Sequence, residues 1–285
     1  MKTSIDCMPC LARQALEAAR YVSSDPSFHE GVVRRMLSSL AEIDLNQSPP
    51  YTGQQIHRKI RELTGHNDPY RQAKDRLNRI VLGLLPELEE KVQNSPDPLK
   101  ISICLAITGN IIDLGPKSNF TEDDVRLNIT RTLSELISLD IDNMRFEIEK
   151  ASKILYLADN AGEICFDRLL IQKLPAERVI LAVRGGPVIN DATLQDAYAA
   201  GLHKIVRVID NGSDAPGTIL SDCSPEFRDF FNNADLIISK GQGNYESLSE
   251  LKKNIFFLFR VKCAPVALRT GLEIGTSVLT RTLEL

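Results

Sequence analysis

Leu155 to Asp167, LYLADNAGEICFD, begins as an apolar run of strand character and stops abruptly at Asp159-Asn160-Ala161-Gly162-Glu163. Those five residues contribute little to a hydrophobic core, so their position at a strand end asks for another reason. Downstream, short β-rich runs recur as KILYLA, RVILAVR, KIVRVID, LIISK and IFFLFRVK, each separated by enough chain to hold a helix. This alternation predicts an α/β fold with a parallel sheet covered on both faces. In such a sheet ligands bind beyond the carboxyl ends of the strands, where loops can be polar without disturbing the core.

Upstream the rhythm is different. From Cys10 to about Gln93 apolar residues recur at helical spacing, in LARQALEAARYV, VVRRMLSSLAEI, IHRKIRELTG and RLNRIVLGLLPELEEKV, with breaks at NQSPPYTG and TGHNDPY. LKISICLAITGNIIDLG continues as a buried helix, and ISLDIDNMRFEIEKA leads by another into Leu155. The chain therefore divides into a mostly helical part, 1–150, and an α/β core, 151–285. No Gly-, Ser- or Pro-rich linker separates them, so the helices are expected to pack on the sheet.

With 285 residues, 43% of them hydrophobic and 25% charged, the chain can bury a sizeable core. A net charge of -4 with mixed signs offers no basic face for nucleic acid or an anionic membrane, which favours a small-molecule or protein partner. No apolar run approaches the ~20 residues that span a bilayer. The opening MKTSIDCMPC lacks the apolar core of a signal peptide, so a cytoplasmic location is expected. Six dispersed cysteines do not form a disulfide framework. Only Cys7 and Cys10 are close in sequence, and their spacing around Pro9 suits a redox pair, half of a metal site, or two buried thiols at a helix terminus.

Polar clusters close the first four strands: DNAGE, RGGPVINDAT, DNGSDAPGT and SKGQGNYES. Any one could be an ordinary helix cap, but four on one rim point to a site. Asp159, Asn160 and Asp191 offer hard oxygen ligands suited to magnesium or manganese, and able to take cobalt or nickel. Lys240, beside Gly241 and Gly243, reads as a phosphate seat, with Arg184 as a second positive group and Thr218 as a hydroxyl donor. Neither glycine-rich loop is a Walker A sequence, and the first strand lacks the G-x-G-x-x-G dinucleotide fingerprint. Asn110 and Asp113, three apart on one helical face, fit a buried capping pair or a substrate-facing edge equally well. His29, His57, His66 and His203 have no metal or nucleophile spacing and are expected at the surface or at helix ends. No G-x-S-x-G elbow appears, and Tyr51, Tyr70 and the FFLF run read as packing, not as a base-stacking platform.

Taken in order, CMPCLARQAL, DPYRQAK, AITGNIIDLG, LADNAGEICFD, RGGPVINDAT, NGSDAPGT, DCSPEF, ADLIISKGQGNYESL and FRVKC resemble the damage-control phosphatase family, the metal-dependent phosphatases known as domain of unknown function eighty-nine. The resemblance covers nearly the whole chain, and the CxxC is similar to its mostly prokaryotic branch. It implies a three-layer α/β/α sandwich with a mostly parallel Rossmann-like sheet and a helical N-terminal part. It further implies a divalent metal (manganese, cobalt, nickel or magnesium) on Asp159, Asn160 and Asp191, and hydrolysis of phosphomonoesters of small metabolites such as sugar phosphates or damaged phosphometabolites. By the same carry-over Lys240 contacts the phosphate, Asn110 and Asp113 face the substrate, and Glu163 supports the metal ligands or holds a water. Cys165 is expected in the core, while some of Cys7, Cys10, Cys223 and Cys263 could form a second metal site or redox cluster at the rim. The absence of a D-x-D signature at LADNAG tilts the nucleophile towards water. The competing readings are a phosphometabolite- or nucleotide-binding protein without turnover and a thiol redox protein using Cys7 and Cys10.

Overall fold

The structure, a computed structural model, describes residues 1–109, 121–134 and 141–282. Asn110 and Asp113 lie outside the described residues. The helical part contains α1 (Cys7–Val22), α2 (Pro26–Leu40), α3 (Pro49–Thr64), α4 (Arg71–Gln93), α5 (Pro98–Thr108), α6 (Glu122–Ser134) and α7 (Ile141–Lys150). There follow β1 (Ile154–Leu157), α8 (Glu163–Ile171), β2 (Val179–Val183), α9 (Leu194–Ala199), β3 (Arg207–Asp210), α10 (Pro225–Asn233), β4 (Leu236–Lys240), α11 (Gln242–Leu248), β5 (Ile255–Arg260), α12 (Ala264–Thr270) and β6 (Ser277–Arg281). Several starts have the same local cause: in α2, α3, α5 and α10 an Asp or Ser accepts a hydrogen bond from a first-turn N–H, and the proline after it needs no donor there.

The strands form one sheet in the order β3-β2-β1-β4-β5-β6, parallel through β5. The sixth strand was not foreseen. It runs antiparallel because Val261 and Gly275 tie the chain back at the very end of β5, with Val261 N–H donating to Thr276 O and Gly275 N–H to Val261 O. Its short, half-polar SVLTR reads weakly as a strand because it lies at an edge.

Alternate residues of the strands enter different cores. Ile154, Tyr156, Leu181, Ile238 and Leu258 join α4, α5, α7 and α8 on one face. Leu155, Leu157, Ile237, Phe257 and Phe259 join Phe227 and Phe231 of α10 and Tyr245 of α11 on the other. Both faces are thus covered, and the near-continuous apolar strands follow from that.

The N-terminal helices divide in a way their periodicity does not reveal. Helices α4, α5 and α7 belong to the sheet core, whereas α1 to α3 bury Ala15, Ala18, Met36, Ile56, Ile60 and Tyr70 in a cluster of their own. This second cluster caps the strand-end rim. Gln54 of α3 donates to Asp214 Oδ1 (2.7 Å) and Asp222 Oδ2 (2.6 Å), Arg58 and Arg61 pair with Asp214, and Arg61 also donates to Pro187 O (2.8 Å). His57 is buried here, not at the surface as its sequence context suggested, with Nε2 2.9 Å from Gln14 Oε1. Burial, with Arg61 nearby, pushes its pKa down to about 3, so it is held neutral. Among the described residues no helix is long and apolar enough to cross a membrane.

Candidate functional site

Strand order reverses at β1, which lies between β2 and β4, and the crevice beyond this switch point is where an open α/β sheet places a ligand. Asp159 and Asn160 follow β1, Arg184 to Asp191 follow β2, and Lys240 ends β4. The loop after β2 folds back onto the loop after β1. Ala192 N–H donates to Asp159 O and Ala161 N–H to Asn190 O (2.8 Å each), which sets Asn160 and Asp191 in an antiparallel bridge. The fold-back requires Ile189 at φ 41°, in the left-handed region that a β-branched residue rarely enters. Ile189 is held there against the α1–α3 cluster.

These turns bring Asp159, Asn160, Glu163, Arg184, Asp191 and Lys240 together, all buried. Arg184 Nε donates to Asp191 Oδ2 (2.6 Å) and Nη1 to Asn244 Oδ1 (3.2 Å). Its Nη2, 3.5 Å from Asp159 Oδ1, is buried without a hydrogen bond. Asn160 Nδ2 donates to Asp159 Oδ2 (2.6 Å) and Glu163 Oε2 (3.0 Å), which leaves the amide oxygen as its remaining ligand atom. Gly241 abuts the Asp159 carboxylate so closely that a Cβ would collide with it, and its φ of 82° also favours glycine.

Lys240, Gly241 and Gly243 are engaged in contacts within the protein. Lys240 Nζ donates to Ala106 O (2.7 Å), Glu163 Oε1 (2.7 Å) and Asp167 Oδ1 (2.6 Å), so its three protons are engaged within the protein. It neutralises two acids, and a phosphate would have to displace one of them. Gly241 N–H is likewise committed to Leu258 O (2.9 Å), and Gly243 serves close approach to Pro216 O. Thr218 does lie at the rim, but its hydroxyl donates to Asn244 Oδ1 (2.8 Å). Cys223 is buried beside Arg184, Asp222 and Arg228, apart from the neighbourhood that Cys7, Cys10 and Cys263 share with Glu246. The four cysteines are therefore not assembled into one cluster. Cys165 is fully buried, as expected.

Sequence reasoning missed Asp167, Tyr156 and Asn244. Asp167 lies one turn after Glu163 on α8 and accepts from Tyr156 Oη (2.7 Å) as well as from Lys240. Two acids four residues apart in the mostly apolar EICFDRLL were the available signal. Asn244 anchors Arg184 and also donates to Lys240 O (2.8 Å). It was legible only as one more polar residue of a glycine-rich loop.

Charge is what sets this centre apart. Asp159, Glu163, Asp167 and Asp191 are four buried carboxylates directly contacted by two cations, Arg184 and Lys240, among the described residues. Burial, together with Glu163 and Asp191, raises the Asp159 pKa to about 8, and burial raises Asp167 to about 6 and Asp191 above its ordinary value. Among the described residues no three His, Cys, Asp or Glu side chains form a ready-made cation shell. The donor set nevertheless fits a hard divalent cation: two carboxylates and an amide oxygen from adjacent strand ends. Of the GNIID run only Gly109, preceding Asn110, is described, and its backbone lies hard against Glu163.

A model of the damage-control phosphatase ARMT1-like domain matches residues 3–278. The chain is 36% identical to a damage-control phosphatase of Archaeoglobus fulgidus, covering 98% of each chain, and 35% identical to an uncharacterised protein of Methanocaldococcus jannaschii, covering 98% of this chain and 95% of that one. The crystal structure of a DUF89 family protein from Pyrococcus horikoshii superposes with a TM-score of 0.89 at 32% identity, covering 99% of each chain. A match of this extent in sequence and in fold shows the family: the chain belongs to the ARMT1-like, or DUF89, damage-control phosphatases.

Proposed function

We propose that this protein is a divalent-metal-dependent phosphatase that hydrolyses phosphomonoesters of small metabolites, sugar phosphates or damaged phosphometabolites among them. The observation that carries the proposal is the buried centre at the sheet's switch point, where Asp159 and Asp191 pair with an arginine that keeps one nitrogen without a hydrogen bond. The names of its relatives support the reaction class.

Asp159, Asn160 and Asp191 would hold the cation, with manganese, cobalt, nickel or magnesium as candidates. When bound, it supplies a fixed positive charge that polarises a phosphoryl oxygen and favours a nucleophilic water. Arg184 offers Nη2, which makes no hydrogen bond, to another phosphoryl oxygen, with its plane fixed by Asp191 and Asn244 so that little reorganisation is needed as charge develops. Glu163 holds the Asn160 amide, and Lys240 holds Glu163, so the lysine acts on the ligands from behind. Water is the favoured nucleophile. Positioning and electrostatics carry phosphoryl transfer of this kind.

The test is phosphate release from a panel of sugar phosphates and a generic aryl phosphate, with chelator-stripped protein given each metal separately. Turnover restored by metal is the expected result. Metal binding without release from any ester would favour the phosphometabolite-binding reading.

A further inference from the structure

We infer that Cys7 and Cys10 form a reversible dithiol–disulfide site in which Cys10 is the attacking thiol, a chemistry separate from the phosphatase centre. Both thiols are free and half-buried, and they occupy the first turn of α1 as Cys-Met-Pro-Cys. Helix geometry places residues three apart with Cα atoms about 5 Å from each other, inside the Cα window a disulfide requires. Pro9 lies in the first turn, where a missing N–H leaves no intrahelical bond unmade.

The surroundings distinguish the two sulfurs. Arg13 Nη2 lies 3.9 Å and Gln14 Nε2 3.7 Å from Cys10 Sγ, so a cation and an amide donor face the sulfur that would carry the thiolate. The first turn of α1 has no acidic residue and Asp6 gives it no side-chain cap, while Ser4 O and Ile5 O accept from the Cys7 and Met8 N–H groups. Cys7 lies near Glu246 and Cys263, a neighbourhood it shares with Cys10, and burial holds its thiol protonated to higher pH. Among the described residues no third ligand completes a metal shell with the pair.

The reaction balances with a low-molecular-weight disulfide as oxidant. The Cys10 thiolate attacks one sulfur of that disulfide and releases a thiolate, which takes up a proton. The Cys7 thiol then loses its proton and attacks Cys10 Sγ, releasing the second small thiol. Two protein thiols are oxidised and one small disulfide is reduced to two thiols.

The full chain would be equilibrated with mixtures of reduced and oxidised glutathione, quenched with acid, alkylated and mapped by peptide mass spectrometry. A Cys7–Cys10 disulfide should form while Cys104, Cys165 and Cys223 remain alkylatable after unfolding. In Cys7→Ser, Cys10 should collect glutathione at least roughly tenfold faster than Cys7 does in Cys10→Ser. Both thiols staying reduced in oxidised glutathione, Cys7 pairing with Cys263, or equal rates in the two variants would each overturn the inference.

Discussion

Asp159 and Asp196 are both buried aspartates within one fold, yet their surroundings treat them in opposite ways. Asp196, near the start of α9, accepts from Arg71 Nη2 (2.6 Å), Asn78 Nδ2 (2.8 Å) and the Thr193 N–H and hydroxyl (2.9 Å each), with Lys74 3.4 Å away. Burial alone would raise its pKa, but Lys74, Arg71 and Thr193 prevail and hold it below the ordinary value. Asp159 also has favourable partners, Arg184 Nη2 at 3.5 Å, Asn160 Nδ2 at 2.6 Å and the charge of Lys262, but burial, Glu163 and Asp191 prevail and raise its pKa to about 8. A carboxylate whose partners outweigh burial holds a fold together; one whose charge the fold disfavours, at a sheet's switch point, is a candidate ligand in the proposed metal site.

The largest expected effect separates the two in function. Asp159→Asn should lower metal-dependent phosphate release on the order of a thousandfold while leaving urea stability unchanged or slightly higher, because it removes a carboxylate whose ionised form the fold disfavours. Asp196→Asn should do the reverse. It leaves Arg71 and Lys74 without their buried partner, so unfolding in urea should show a loss of about 3–5 kcal/mol, with turnover per folded molecule largely kept. If both variants lost stability equally, the contrast between them would fail.

The cap supplies a base kept neutral by burial, and its sign differs from that of Asp159. The pKa of His57 is lowered in the folded state, so its stability contribution is complete above its unfolded value of about 6.5 and is lost as pH falls towards 3. At pH 5 the loss should be about 2 kcal/mol, and His57→Gln should flatten that part of the stability profile in urea titrations at successive pH values. The smallest effect is expected at Ile189. Ile189→Gly relieves the left-handed strain, so stability should change by no more than about 1 kcal/mol. The loop carrying Asp191 loses its apolar anchor, so manganese affinity should fall several-fold by calorimetry.

Much of this was legible in the sequence, for identifiable reasons. KILYLA and its successors announced a buried parallel sheet because strands covered on both faces must be apolar throughout, and the polar stops after them marked the rim. Asp159, Asn160, Arg184 and Asp191 could be read because they stand at strand ends, whose position follows from periodicity. What Lys240 touches could not be read, since its partners Ala106 and Glu163 come from α5 and α8 and meet only in the packed structure. Asp167 was hidden for the same reason: an acid on an amphipathic helix reads as solvated until the helix is known to be buried on all sides. The burial of His57 depends on α1 to α3 forming their own core, which helical spacing does not distinguish from packing on the sheet.

Calorimetric titration of manganese into chelator-stripped protein, wild type beside Asp159→Asn, tests the central claim most directly. The account predicts saturable binding at a single site per chain in the wild type and its loss in a variant that remains folded. Absence of binding to the wild type, or equal binding to both, would contradict it.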